Sequence, residues 1–286
     1  MMNPDLASLM QQTFAVNLAP TGMIPTLDIT PHVPITPQAV AEDVAKCASV
    51  GLTTVHVHAR DDDGQPTSDP DCYARYVGAV REAAGDVLVC VSCSGRNDPR
   101  YETRSRVLDL DGPLKPDMAS LTLSSLNFPR SASVNAPDTV KRLAEKMRER
   151  GIKPELEVFD LGMMNYAHYL IDTGVLEPPY YFNIILGNVA SAQTDLVHLG
   201  ALIHDLPDRS YFSVGGVGDS QLVANVHGLA QGGGVRVGIE DNVWLDARRS
   251  KLCTNLDQVV RANELGRLLG KRAMEPREFR RALAVG

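Results

Sequence analysis

Apolar, β-branched-rich runs return along the chain about every 30 residues, the length of one strand–helix–strand unit, and between them apolar positions recur with helical period. The runs predict strands at Phe14–Leu18, Thr53–His58, Val87–Ser92, Asp117–Leu121, Glu155–Phe159, Tyr180–Leu186, Ser210–Val214 and Val235–Gly238. The intervening segments predict helices at Pro37–Val50, Pro70–Ala84, Tyr101–Leu110, Pro137–Arg150, Gly162–Thr173, Ala192–His204, Ser220–Gln231 and Asn255–Leu269. Proline at the first helical position (Pro37, Pro137) and glycine after the last (Gly51, Gly151, Gly174) punctuate several of them. Near-continuous apolar strands alternating with helices describe a parallel sheet covered by helices. Eight such units close most economically as a single (β/α)8 TIM barrel in the α/β class, for which about 250 residues is usual. The competing doubly wound sheet rarely uses eight units this evenly. One barrel domain, 1–286, therefore takes up the chain, with a short extension at 1–12 and a basic tail at 271–286 whose helix begins at Pro276.

Composition narrows the class. The chain of 286 residues is 44% hydrophobic and 22% charged, which suits a packed core rather than a disordered chain. Its 28 Lys+Arg against 35 Asp+Glu leave a net charge of −7, which argues against nucleic acid as a partner. No apolar run approaches the roughly 20 residues of a membrane span, and Met1-Met2-Asn3-Pro4-Asp5 lacks the basic start of a signal peptide. The expected setting is the cytoplasm. Five cysteines include Cys90 and Cys93 in C-x-x-C spacing. On a strand these point to opposite faces, and no second pair exists to complete a zinc site, so buried thiols are expected.

In a barrel, chemistry sits at the C-terminal ends of the strands. The second strand ends in His56-Val57-His58, whose two imidazoles face the same side. Two neutral imidazoles converging on one point suit a divalent metal, Zn²⁺ above all; a hydrogen-bonded pair of core histidines is the alternative. The eighth strand carries Arg236 and runs into Glu240-Asp241. A carboxylate there would complete a two-histidine, one-carboxylate set with an open position, and Arg236 would hold Asp241 ionised and aimed. An ordinary arginine–glutamate bridge filling the barrel mouth is the other reading. Glu155 and Glu157 alternate on an otherwise apolar fifth strand, so that face has to meet a cation, a metal or water. Ser92 closes the third strand and Ser120, Thr122 and Ser124 the fourth, as candidate substrate donors. Gly215–Gly218 fails the dinucleotide fingerprint for want of a third glycine; it is either a phosphate-binding loop or a tight turn.

Taken together, Pro20-Thr21-Gly22, Pro31-His32-Val33-Pro34, Val55-His56-Val57-His58-Ala59-Arg60-Asp61, Met118-Ala119-Ser120-Leu121-Thr122, Lys153-Pro154-Glu155-Leu156-Glu157-Val158-Phe159-Asp160 and Arg236-Val237-Gly238-Ile239-Glu240-Asp241-Asn242 resemble the β-keto acid cleavage enzymes, typified by 3-keto-5-aminohexanoate cleavage enzyme, from about Val16 to Leu269. The resemblance implies a zinc-bearing barrel, a homotetramer, that uses acetyl-CoA to cut a β-keto acid into acetoacetate and the CoA ester of the remaining acyl group. It places the zinc ligands on His56, His58 and Glu240, the base and its arginine on Asp241 and Arg236, and an assisting glutamate on Glu157. Substrate contacts fall on Ser92, Gly95 and either Thr122 or Ser124. Members acting on an amino-bearing acid carry a glutamate where this chain has Ile24, and Arg96 adds positive charge beside the same mouth. The implied substrate tail is therefore neutral or anionic. A metal-dependent barrel hydrolase, or an aldolase or lyase without CoA, is the alternative; hydrolases with H-x-H generally draw further histidines from later strands, and here those strands have none.

Overall fold

The computed structural model describes residues 11–286, so the expected extension at 1–12 lies almost wholly outside it. Eight parallel strands close on themselves: β1 (Val16–Leu18), β2 (Thr54–Val57), β3 (Leu88–Val91), β4 (Met118–Thr122), β5 (Lys153–Val158), β6 (Tyr180–Leu186), β7 (Ser210–Gly216) and β8 (Gly234–Val237), with β8 pairing back onto β1 through Arg236 and Asn17. Helices α1 (Pro37–Ala48), α2 (Pro70–Ala84), α3 (Tyr101–Arg104), α4 (Pro137–Arg150), α5 (Leu161–Asp172), α6 (Leu196–His204), α7 (Ser220–Ala230) and α8 (Asn255–Leu268) form the outer ring. The barrel expected from the periodicity is the observed one. No helix among the described residues is long and apolar enough to cross a membrane.

Two helices depart from their expected bounds. The third unit gives only one α-turn, Tyr101–Arg104, followed by 3₁₀ turns at Arg106–Asp109 and Gly112–Leu114. The helix expected from Ala192 starts at Leu196 because the Asp195 carboxylate accepts from the Val197 and His198 amides, which fixes the first turn there. Elsewhere the same capping holds the expected starts, with Thr36, Asp69 and Thr254 each accepting a backbone N–H.

The tail closes the floor of the barrel. Strand Arg272–Ala273 pairs with Thr13–Phe14, the Thr53 hydroxyl donates to the Met274 carbonyl, and Arg280 reaches Asp117 at 2.7 Å. These bonds set α9 (Pro276–Ala282) under the strands, where buried Phe279 meets Tyr181 and Tyr211 edge-on at 5.1 and 6.2 Å. Leu88, Cys90 and Met118 complete this apolar layer. The interior polarity then rises toward the mouth, through Asn17, His56, Glu155, Asn183 and Ser213. The floor carries stability and the mouth carries chemistry. Phe279→Ala is expected to cost roughly 3–5 kcal/mol, seen as a lower urea midpoint at unchanged slope; an unmoved midpoint would show that the floor contributes little.

Candidate active site at the barrel mouth

The two histidines of β2 meet as their spacing requires. His56 and His58 are buried, with their Nε2 atoms 3.3 Å apart, and Glu240 Oε1 lies 3.4 Å from His58 Nε2. His56 Nδ1 is bonded to Glu155 at 2.8 Å, which places its proton there and leaves the Nε2 lone pair facing His58. The two nitrogens approach to this distance only with a proton or a metal cation between them. A tetrahedral zinc with bonds of about 2.0–2.1 Å sets neighbouring ligand atoms about 3.3–3.4 Å apart, the spacing seen here. Glu240 Oε2 is also buried without a hydrogen-bond partner. On both counts the three residues suit a divalent metal. A second grouping, His56 with Cys90 and Glu155, does not, because His56 Nδ1 is already spent on Glu155 and burial pushes the Cys90 thiol far up. All five cysteines are free and buried, as expected.

Arg236 organises the acids around this point. Its Nε donates to Asp241 Oδ2 at 2.7 Å, and its Nη2 donates to Glu240 Oε1 at 2.7 Å and Asp241 Oδ1 at 3.3 Å. Its Nη1 lies 3.9 Å from Glu155 and 4.0 Å from Glu157. Burial opposes each charge here, yet the outcomes differ. For Glu240, burial is outweighed by His58 and Arg236, which hold its carboxyl well below the usual range. For Asp241, burial prevails over Arg236, and Glu240 adds to it, so its carboxyl sits above its ordinary value. Neighbouring acids thus differ in basicity, Glu240 held as the weaker base and Asp241 left the stronger. Burial also raises Glu157, to which the Thr122 hydroxyl donates at 2.5 Å, whereas buried Glu155 is held low chiefly by His56.

These groups open into a cavity of about 560 Å³ lined by His58, Ser92, Arg96, Thr122, Glu157, Arg236, Glu240, Asp241 and Ile24 among others. Gly95 and Ser124 are not on its wall. A Cβ at Gly95 would meet the Val134 carbonyl at 2.6 Å and Arg104 at 2.7 Å, so that glycine seats the loop. The Ser124 carbonyl instead accepts from Asn135, which leaves Thr122 as the hydroxyl at the cavity. Of the two readings of Gly215–Gly218, the tight turn is the one the hydrogen bonds favour. Val217 and Gly218 amides already donate to Leu186 and Asp241 carbonyls, and a Cβ at Gly215 would strike Arg236 at 2.9 Å, so the glycines make room for the arginine. Sequence reasoning passed over the orienting role of Glu155, whose signal was its alternation with Glu157. It also missed the hairpin Leu126–Asn127 with Ala132–Ser133, signalled by Phe128-Pro129-Arg130-Ser131, and the Trp244–Arg249 loop that brings both residues to the cavity.

The chain is similar to known proteins along nearly its whole length. A family model described as beta-keto acid cleavage enzyme matches residues 14–285. The chain is 32% identical over 278 residues to 3-keto-5-aminohexanoate cleavage enzyme of Fusobacterium nucleatum subsp. nucleatum, covering 96% of this chain and 99% of that one. It is 36% identical over 241 residues to 3-oxoadipate:acetyl-CoA acetyltransferase of Cupriavidus necator, covering 83% of each. Among solved structures, apo ObcA superposes with a TM-score of 0.80 at 21% identity, over 90% of this chain and 66% of the other, a likeness of fold.

The arginine sets the stability of the cluster. Arg236→Met is expected to cost about 3–5 kcal/mol at neutral pH by leaving buried carboxylates unpaired, measured by urea unfolding. Without the cation the folded acids bind protons at higher pH than the unfolded ones, so the deficit should shrink as pH falls. A deficit independent of pH would refute this account.

Proposed function

Since the chain belongs to the beta-keto acid cleavage enzyme family, we propose that it is an acyltransferase that cuts a β-keto acid with acetyl-CoA, giving acetoacetate and the acyl-CoA of the remaining fragment. The observation that carries this reading is Asp241, held by two Arg236 nitrogens beside the His56–His58–Glu240 cluster at the floor of the cavity. His56, His58 and Glu240 would hold a zinc ion, with Glu155 fixing the His56 ring. Bound there, it supplies Lewis-acid polarisation of a substrate carbonyl, which acidifies the adjacent carbon. Asp241, with its carboxyl raised by burial, takes the proton from C2 of the keto acid. The resulting carbanion attacks the acetyl carbonyl carbon and expels CoA thiolate. That thiolate attacks the original ketone carbon, the C2–C3 bond breaks, and the proton returns from Asp241 to the departing acetoacetate carbon. Glu157, raised by burial and accepting from the Thr122 hydroxyl, lines the same cavity and would assist Asp241 by holding the acid end of the substrate in place through Thr122. Ser92 and Thr122 supply hydroxyl donors to the acid.

Ile24 puts no carboxylate in the cavity to neutralise an ammonium, which favours a neutral or anionic tail. The homotetramer that the family resemblance implies would bury exposed apolar side chains such as those on α5 and α6, where Tyr169 is 57% and Val197 79% exposed.

Acetyl-CoA should be consumed only when a β-keto acid is present with zinc-loaded protein, and Asp241→Asn should reduce turnover by roughly 10²–10⁴-fold while zinc content is retained. Near wild-type turnover in that variant would remove Asp241 from the base role. Glu240→Gln should leave only a small fraction of the zinc after dialysis, by metal analysis; full retention would show that it is not a ligand.

A further inference from the structure

The loop after β3 carries a cation on its cavity side and another behind it, and neither has a carboxylate within salt-bridge distance among the described residues. Arg96 lines the cavity; its guanidinium lies 4.1 Å from the Phe128 ring centre and its Nε donates to the Ser131 hydroxyl at 3.3 Å. Its two terminal nitrogens have no protein partner among the described residues. Arg104, 2% exposed, donates to the Cys93 carbonyl at 2.7 Å and to Asn135 at 2.8 Å, and its Nη1 is buried without a partner beneath Gly95. Two cations held partly or wholly out of water without a counter-ion are costly. The opposite wall already has its charges matched: Arg236 is paired with Glu240 and Asp241. The cavity thus has one end built for the reacting centre and another that lacks only an anion.

We propose that Arg96 is the specificity-determining residue for the far end of the substrate, and that the substrate class is a β-keto dicarboxylic acid whose distal carboxylate pairs with the two free Arg96 nitrogens. This rests on the β-keto acid reading above. The stacking on Phe128 and the bond to Ser131 hold the guanidinium as a forked donor suited to a carboxylate. Arg104 acts through the loop as a fixed positive charge, Ile24 on the cavity wall adds no carboxylate, and the acids that share this wall, Glu240 and Asp241, are already paired with Arg236. The phosphates of CoA are the other anions that enter this cavity, and the test separates them.

The experiment compares a β-keto dicarboxylate with the β-keto acid of equal length ending in a methyl group, in wild type, Arg96→Gln and Arg96→Lys. Wild type should prefer the dicarboxylate by about 10- to 100-fold in kcat/KM. Arg96→Gln should abolish that preference through the KM of the dicarboxylate, and Arg96→Lys should keep part of it. Equal losses on both acids would overturn the proposal, placing Arg96 on the carboxylate they share. A rise confined to the KM of acetyl-CoA would overturn it by assigning Arg96 to CoA. If neither acid is consumed, the reaction assignment fails; calorimetry with the corresponding 3-hydroxy dicarboxylate then decides for Arg96, tighter binding to wild type than to Arg96→Gln supporting it and equal binding overturning it.

Discussion

Everything at the mouth of this barrel depends on one buried guanidinium. Arg236 is 2% exposed and lies within 4.0 Å of four carboxylates, from Glu155, Glu157, Glu240 and Asp241. So many acids could not be taken out of water together without a cation between them. The geometry of its fork matters as much as its charge. Nε and Nη2 face the loop after β8 and fix both Asp241 and Glu240, while Nη1 faces β5. A lysine would deliver the charge to one point and leave Asp241 free to rotate. Glycine at 215 on the neighbouring strand is the steric condition for this arrangement, since any side chain there meets the arginine.

The fold was legible because a barrel writes itself as repetition. Eight apolar runs at even spacing leave few ways to cover both faces of a parallel sheet, and the observed strands fall on the expected runs. Much of the site was legible for a related reason. Period-two alternation fixes facing, so His56 and His58 had to converge, and a strand end is where they had to do it. What was not legible lies off the strands. Asp195 caps a helix later than the apolar pattern begins, because a side-chain bond decides the first turn. Gly95 and Ser124 share a strand-end address with Ser92 and Thr122, but the loop path turns them toward Arg104 and Asn135. The glycines at 215–218 read equally as an anion cradle or a packing accommodation; only the carbonyls already bonded to their amides separate the two.

Glu155 shows how a candidate metal site is prepared from below. It has no exposure, and it accepts from His56, Asn17 and Asn183. The two asparagines satisfy it from neighbouring positions in the barrel interior, so its charge is stabilised without reaching the cavity. Its effect is felt one residue higher, where His56 is obliged to present Nε2. Below it the interior becomes apolar and is sealed by Phe279.

Net charge describes this protein poorly at the place where it matters. With −7 overall, the chain must still draw in anions. Bulk repulsion acts over a Debye length of about 8 Å in physiological salt, whereas the cavity acts at contact distance. The interior acids are consumed internally: Glu155 by His56, Glu240 and Asp241 by Arg236. Arg96 and Arg104 are not matched in this way, so the loop after β3 presents surplus positive charge to whatever enters. An anionic ligand sees that loop before it sees the chain as a whole. On the reading proposed here, selectivity between tails of different charge would fall to Arg96 and the side chains around it, while the reacting end can stay the same.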